Sequence, residues 1–142
     1  MALVRLIYTS TITDVFKVSD IADILKAARA NNAATNITGL LSFNRRYFLQ
    51  CLEGERDEVN KMYHHIATDP RHTKPVIIDY QAIADTEFEI WSMGYLQDVE
   101  SLRKLFYKHT KNANFDPYKM DSESAKALLL DIRYEIKQAE KA

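Results

Sequence analysis

The order in which apolar periods follow one another through the first two-thirds of the chain constrains its fold more than any other feature. Residues 3–8 form a short apolar run broken only by Arg5, which predicts a central strand. Val18, Ile21, Ile24, Leu25 and Ala28 recur at helical spacing, with Ser19 or Asp20 as N-cap, and predict a helix ending near Asn31. Residues 37–43 and 47–52 read as strands joined by Asn44-Arg45-Arg46, a hairpin-length loop. Val59, Met62, Tyr63 and Ile66 repeat at i, i+3, i+4 and i+7, a second amphipathic helix that Pro70 ends. Residues 76–80 and 88–95 read as two more strands. The order β-α-β-β-α-β-β predicts an α+β, ferredoxin-like split β-α-β with one added strand, hence a five-stranded mixed sheet. Right-handed crossovers put both helices on one face of it.

Beyond Tyr95 the β-branched and aromatic runs give way to Leu, Lys, Ala and Glu. Val99, Leu102, Leu105 and Phe106 predict a short helix. Leu128, Leu129, Ile132 and Ile136 predict a longer one, capped near Asp121 or Ser122. Their apolar stripes need a surface, and the sheet face left bare by the first two helices supplies it. Residues 1–96 are thus expected to form the sheet domain, and residues 97–142 a helical extension of the same compact unit.

A ferredoxin-like order alone says little about function. The 142 residues carry 19 basic and 20 acidic side chains, a net charge of −1, which argues against a general nucleic-acid or membrane-surface binder. RNA-binding modules of this topology need a basic-glycine-aromatic signature on the third strand. Here that strand reads Arg46-Tyr47-Phe48-Leu49-Gln50-Cys51, without the glycine. The lone Cys51 excludes an intrachain disulfide and multi-cysteine metal sites, and fits a reducing compartment. Residues 1–10 lack a signal-peptide pattern, and no window approaches the roughly 18 apolar residues of a membrane span. A cytoplasmic protein is expected. His64, His65 and His72 lack a cysteine or carboxylate to complete a metal site, so no metal is expected. There is no G-x-G-x-x-G, P-loop or G-x-S-x-G motif to support a hydrolase or a nucleotide-transferring enzyme.

Polar residues inside apolar strands are more informative. Tyr8 ends the first strand, and Gln50 lies inside the third, on the face of Phe48 and Leu52 by alternation. These strands are neighbours in the expected topology, so a phenol and an amide can meet on the helix-facing side. Two readings stand at this point: a satisfied core hydrogen bond, or part of a binding site. Asn31-Asn32 has two readings as well, a helix C-cap and turn or a pair of amides aimed at the imide edge of a heterocycle. Gly39 inside a strand marks a close approach to the backbone or a bulge. Cys51 alternates away from Gln50 and reads as inert core.

Together these residues carry a resemblance. Arg5-Leu6-Ile7-Tyr8-Thr9-Ser10, then Asn31-Asn32 with Ile37-Thr38-Gly39-Leu40-Leu41, then Phe48-Leu49-Gln50-Cys51-Leu52-Glu53-Gly54, then Trp91-Ser92-Met93, resemble a BLUF domain, the blue-light sensor using FAD. The blocks fall in order within residues 3–96, and the two trailing helices resemble those of short, stand-alone members. The resemblance implies a photoreceptor with bound FAD and no enzymatic activity of its own. It implies that Tyr8 donates an electron, coupled to a proton, to the excited flavin, and that Gln50 bridges the phenol and the ring. Asn31 and Asn32 match residues that hydrogen-bond the ring, Ile24 and Ile66 match the aliphatic pair that sandwiches it, and Phe48 belongs to the same pocket. Asp69 and Arg71 are candidates for the cofactor's tail. Trp91, Ser92 and Met93 match the signalling positions of the fifth strand. Many members carry Arg where this chain has His65, and a neutral imidazole lacks the guanidinium's fixed charge and forked donors, a departure that bears on flavin affinity or on the discrimination between FAD and FMN.

Glutamine offers both a donor and an acceptor end, so reversing or tautomerising its amide rewires a hydrogen-bond network without moving the chromophore. The output is expected to leave through residues 88–95 to helices at 99–111 and 122–137. Tyr107, Tyr118 and Tyr134 there mark a candidate surface for a homo-oligomer or a downstream protein partner. The alternatives are a flavin-dependent reductase, for which no nicotinamide-binding motif is visible, or a cofactor-free dimeric interaction module.

Overall fold

Burial on both faces makes the first strand the axis of the sheet. β1 (Leu3–Ile12) is buried from Val4 to Ser10 and lies between β3 (Tyr47–Glu55) and β4 (His72–Ile83), antiparallel to both. The apolar run predicted at 3–8 continues through Thr9, Ser10 and Thr11 because each hydroxyl finds a partner: the Phe48 carbonyl at 2.8 Å, His72 Nδ1 at 2.6 Å and the Tyr118 hydroxyl at 2.8 Å. The computed structural model describes residues 2–87, 94–95 and 99–141.

The elements follow in the expected order. α1 (Asp20–Thr35) leads to β2 (Thr38–Phe43), which turns into β3; α2 (Arg56–Ala67) leads to β4. In the hairpin, the Asn44 side-chain oxygen accepts from the N–H groups of Arg46 and Tyr47 at 2.8 and 2.9 Å, an Asx turn. β5 (Gly94–Tyr95) pairs parallel with β2 through Leu40 and Leu41. The sheet order is β4-β1-β3-β2-β5. Among the described residues the sheet is therefore four antiparallel strands with a short parallel pairing at the β2 edge. Of the expected fifth strand, residues 88–95, only the two-residue pairing at the β2 edge falls among the described residues.

β1, β3 and β4 all run further than their apolar periods, and α1 differs from the sequence reading at both ends. α1 runs past Asn31 to Thr35, because Ala33 and Ala34 extend it and Asn36, at φ 59°, supplies the left-handed residue that closes it. Asn31 and Asn32 are therefore interior helix residues and not the C-cap. β4 begins at His72, well before the 76–80 run, since its ladder to β1 absorbs two register shifts and a left-handed Lys74 (φ 54°). α1 also lacks the expected side-chain N-cap at Ser19. Gly39 reflects a close approach of backbone: a Cβ there would lie 2.0 Å from the Cys51 carbonyl oxygen across the β2–β3 ladder.

Alternation divides the interior in two. Val4, Leu6, Tyr8, Leu41, Phe48 and Leu52 face α1 and α2. Ile7, Leu40, Leu49 and Cys51 face α3 (Val99–Thr110) and α4 (Ser122–Lys141). Asp121 caps α4 by accepting the Ser124 N–H at 2.8 Å. Among the described residues no helix is long and apolar enough to cross a membrane.

Candidate functional site

Tyr8 and Gln50 are directly opposed in the β1–β3 register, so their side chains leave the sheet side by side toward α1 and α2. The Tyr8 hydroxyl donates to Gln50 Oε1 at 2.5 Å, with both residues buried. Burial, reinforced by Tyr63 and Asp69, holds the Tyr8 phenol far above the usual tyrosine range. It is a neutral hydrogen-bond donor at every physiological pH. The Tyr63 ring meets Tyr8 edge-to-face at 5.4 Å between centroids.

The pair opens into a cavity of about 570 Å³ between the sheet and the first two helices, within the range of about 300–1,000 Å³ usual for small-molecule and cofactor sites. α1 lines it along one stripe: Ile24, Ala28, Asn31 and Asn32 fall at i, i+4, i+7 and i+8. α2 contributes Met62, His65 and Ile66. Ile24 and Ile66 thus supply apolar walls from two helices. Asn31, Asn32 and Gln50 supply neutral amides, with Asn32 wholly buried and Asn31 exposed. Phe48 closes the sheet side.

Asp69 and Arg71 stand at the mouth. Arg71 grips Asp69 with its Nε and Nη2 groups, the latter at 2.5 Å, and also donates its own N–H to Asp69 Oδ1. The guanidinium's hydrogen bonds draw the Asp69 carboxyl below its ordinary value. His65 is exposed on the rim, where a smaller hollow of about 300 Å³ adjoins the cavity and shares Asn31, Met62 and His65 with it.

Every cofactor-site residue singled out from the sequence lines this one cavity: Tyr8, Ile24, Asn31, Asn32, Phe48, Gln50, His65, Ile66, Asp69 and Arg71. Trp91, Ser92 and Met93 lie outside the described residues. Tyr118 is not an outward-facing aromatic, since its hydroxyl donates to the Lys74 carbonyl at 2.7 Å; Tyr107 and Tyr134 are exposed.

The sequence reading missed Ala28, Leu41, Leu52, Met62 and His72. Four of them were legible as period partners: Ala28 follows Ile24 by four, Met62 precedes Ile66 by four, Leu52 follows Gln50 by two, and Leu41 stands opposite Gln50 in the hairpin. His72 was not. Its Nε2 meets the Ile66 carbonyl at 2.6 Å and its Nδ1 the Ser10 hydroxyl at 2.6 Å. A carbonyl only accepts, so Nε2 carries the proton. The buried ring ties the end of α2 to β1 and fixes the wall on which Ile66 stands.

Comparison with known proteins places this geometry. The family model described as BLUF, sensors of blue-light using FAD, matches residues 3–94. The blue light- and temperature-regulated antirepressor BluF of Escherichia coli K12 is 40% identical over 113 residues, which is 76% of this chain and 28% of that protein. The photoactivated adenylate cyclase subunit beta of Euglena longa is 34% identical over 86 residues, 61% of this chain and 10% of that one. The chain thus spans a minor part of the length of these curated relatives. Among solved structures, photo-activated BlsA superposes with a TM-score of 0.83 at 30% identity, covering 92% of this chain and 94% of that one. The BLUF protein BlrB in its dark state gives 0.78 at 28% identity, covering 96% and 97%.

Proposed function

The chain belongs to the BLUF family of blue-light sensors using FAD, and from that premise we propose how its own residues carry the response. It is a blue-light photoreceptor. Bound FAD supplies the absorption of blue light and an electron-accepting ring. The cavity fits such a group in size and in chemistry, because aliphatic walls suit the faces of a flat heterocycle and neutral amides suit its imide edge. Ile24 and Ile66 hold the faces, and Asn31, Asn32 and Gln50 orient the polar edge. The Asp69–Arg71 pair and His65 lie where the cofactor's tail leaves for solvent.

Tyr8 is the electron donor in this reading. Its phenol is kept protonated by burial, so the proton stays on the oxygen until an electron has left. An oxidised phenol is a strong acid, and its proton then passes along the existing hydrogen bond to Gln50 Oε1. When the electron returns to Tyr8, the amide gives a proton back to the phenol oxygen and settles either reversed, by losing the proton from its oxygen, or as its tautomer, by losing one from its nitrogen. Either outcome presents a donor where an acceptor stood. The Tyr8–Gln50 contact of 2.5 Å inside the cavity is the observation that carries this proposal.

Light is the input and a change in protein contacts is the output, so no catalytic step is asked of the chain. The antirepressor and cyclase relatives are named for light-governed outputs of their own. For this chain we infer a downstream protein partner and self-association. Both would be reached from a sensor unit of residues 1–96, through Trp91, Ser92 and Met93, to the helical extension of residues 97–142. A cytoplasmic setting belongs to the same proposal.

Light-minus-dark difference spectra of FAD-loaded protein test the reading. Wild-type protein gives a reversible red shift of the flavin band. Tyr8→Phe and Gln50→Leu keep the cofactor and lose the shift. A normal photocycle in Tyr8→Phe removes Tyr8 as the donor. An intact shift in Gln50→Leu, with only lowered stability, reduces Gln50 to a structural amide.

A further inference from the structure

The packed face of the sheet hides a group of charges that the photochemistry does not use. Arg5 is only 3% exposed, in the middle of β1, and points toward α4 rather than toward the cavity. Its guanidinium lies 3.4 Å from Asp79 on β4, 3.9 Å from Glu53 on β3 and 3.8 Å from Glu87. Burying these charges is costly, and such a cluster persists only where each group is answered.

The answers converge on Glu87. Its N–H donates to Glu53 Oε1 at 2.7 Å, and its carbonyl accepts from Arg133 Nη1 at 2.7 Å. Its carboxylate meets Lys126 Nζ at 3.0 Å as well as Arg5. One residue is thereby held by β1, by β3 and, through Lys126 and Arg133, by α4. Glu87 directly precedes residues 88–93. Glu53 lies three residues beyond Gln50 on the same strand and, by alternation, on the opposite face. The strand that carries Gln50 into the cavity therefore carries Glu53 into the grip on Glu87.

We propose that the Glu53–Glu87–Arg133 chain of hydrogen bonds, seated on Arg5, is the latch through which a change at Gln50 reaches α4. The inference rests on the photoreceptor reading and adds a route through charged groups to the strand route at residues 91–93. Its physical basis is the directionality of the contacts. The apolar contacts in the cluster that holds Leu49, Cys51, Leu128 and Ile132 have no preferred direction. The N–H···O and guanidinium···O bonds at Glu87 weaken steeply with displacement or misalignment, so a small movement of β3 either keeps the latch or breaks it.

Hydrogen exchange of the full FAD-loaded chain, in darkness and under blue light, tests this with Arg133→Met, Lys126→Met and Glu53→Gln. Arg133 and Lys126 lie outside the cavity, and methionine keeps their aliphatic bulk, so cofactor binding and the red shift should match wild type. The light–dark ratio of exchange in residues 122–141 should fall by about two- to thirty-fold, with Arg133→Lys recovering part of it. Glu53→Gln keeps an acceptor for the Glu87 N–H and loses the charge facing Arg5, so its effect should be the smaller. Faster exchange in darkness with an unchanged light–dark ratio shows a purely structural brace and overturns the latch. A wild-type red shift with no light–dark difference in α4 also overturns it, and leaves the photoreceptor reading standing. Absence of the red shift in wild-type protein removes both.

Discussion

The two faces of one sheet are built to different specifications. Toward α3 and α4, Leu102, Phe106, Leu128, Leu129 and Ile132 are no more than 1% exposed and pack directly on Ile7, Leu49 and Cys51. Toward α1 and α2, α1 buries only Leu25 and Asn32, α2 buries only Val59, and a cavity of about 570 Å³ opens between these helices and the strands beside that smaller core. The same strands serve both sides: Ile7 and Tyr8 are adjacent in sequence and belong to different interiors. A cleft of this size, lined by apolar side chains and a few amides, has the character of a cofactor site, so in the proposed function this face is the one a ligand completes, whereas the other is packed by the chain's own helices. The scaffold lies behind the sheet and the sensor in front.

The largest effect should be seen by truncating each face in cofactor-free protein. Leu129→Ala removes a fully buried side chain and should cost about 2–5 kcal/mol in urea unfolding. Ile66→Ala removes a side chain that borders open space and should cost only about 1 kcal/mol. Equal losses would break the contrast between a packed and an unfilled face.

Cofactor addition sharpens the same contrast. FAD at a hundredfold excess over its dissociation constant should add about 2.7 kcal/mol of stability. Protection from hydrogen exchange should concentrate in α1 and α2. Equal protection of α3 and α4 would mean that the two faces do not differ as described.

Asn32→Ala tests the polar part of the front face. Loss of a buried amide that lines the cavity should weaken FAD binding by about 1–3 kcal/mol, read by equilibrium titration. Unchanged affinity would assign Asn32 to the helix alone.

The smallest effect is the pH dependence of the mouth. The Asp69 carboxyl is lowered, first by the Arg71 hydrogen bonds, so it is less protonated folded than unfolded. Its contribution is therefore complete above the ordinary carboxylate value and disappears as the pH falls through the lowered one. The pair is only half-buried and stays in contact with solvent, which keeps the effect under about 1 kcal/mol. Asp69→Asn should flatten the acid limb of stability against pH slightly; an unchanged limb would show that the pair contributes nothing.

Legibility followed the range of the interaction. Placing Gln50 with Phe48 and Leu52, and Cys51 opposite, needed only strand alternation, and the structure agrees. Asn31 and Asn32 were legible as polar residues near a helix end. Their inclusion in the helix was not, because the residue that closes it is Asn36, a left-handed cap whose chemistry Asn31 and Asn32 share. Strand β4 looked short because His72 to Pro75 lack an apolar period. His72 and Thr73 join the ladder opposite Ile12 and Thr11 of β1, some sixty positions away in sequence, the Ser10–His72 separation being 62.

By itself the sequence determined the kinds of element, their order, and which side of each strand faced which helices. Those properties follow from periods of 2 and 3.6 that repeat within a few neighbours. It also held the five separated blocks that mark the family. Only the tertiary structure decided that Tyr8 donates to Gln50, that His72 ties α2 to β1, and that Arg5 sits beneath a grip on Glu87. The Arg5–Asp79 contact spans 74 positions. No local period carries that information, because a buried polar group is stable only where a partner from elsewhere in the chain meets it, and that meeting is a property of the packed molecule.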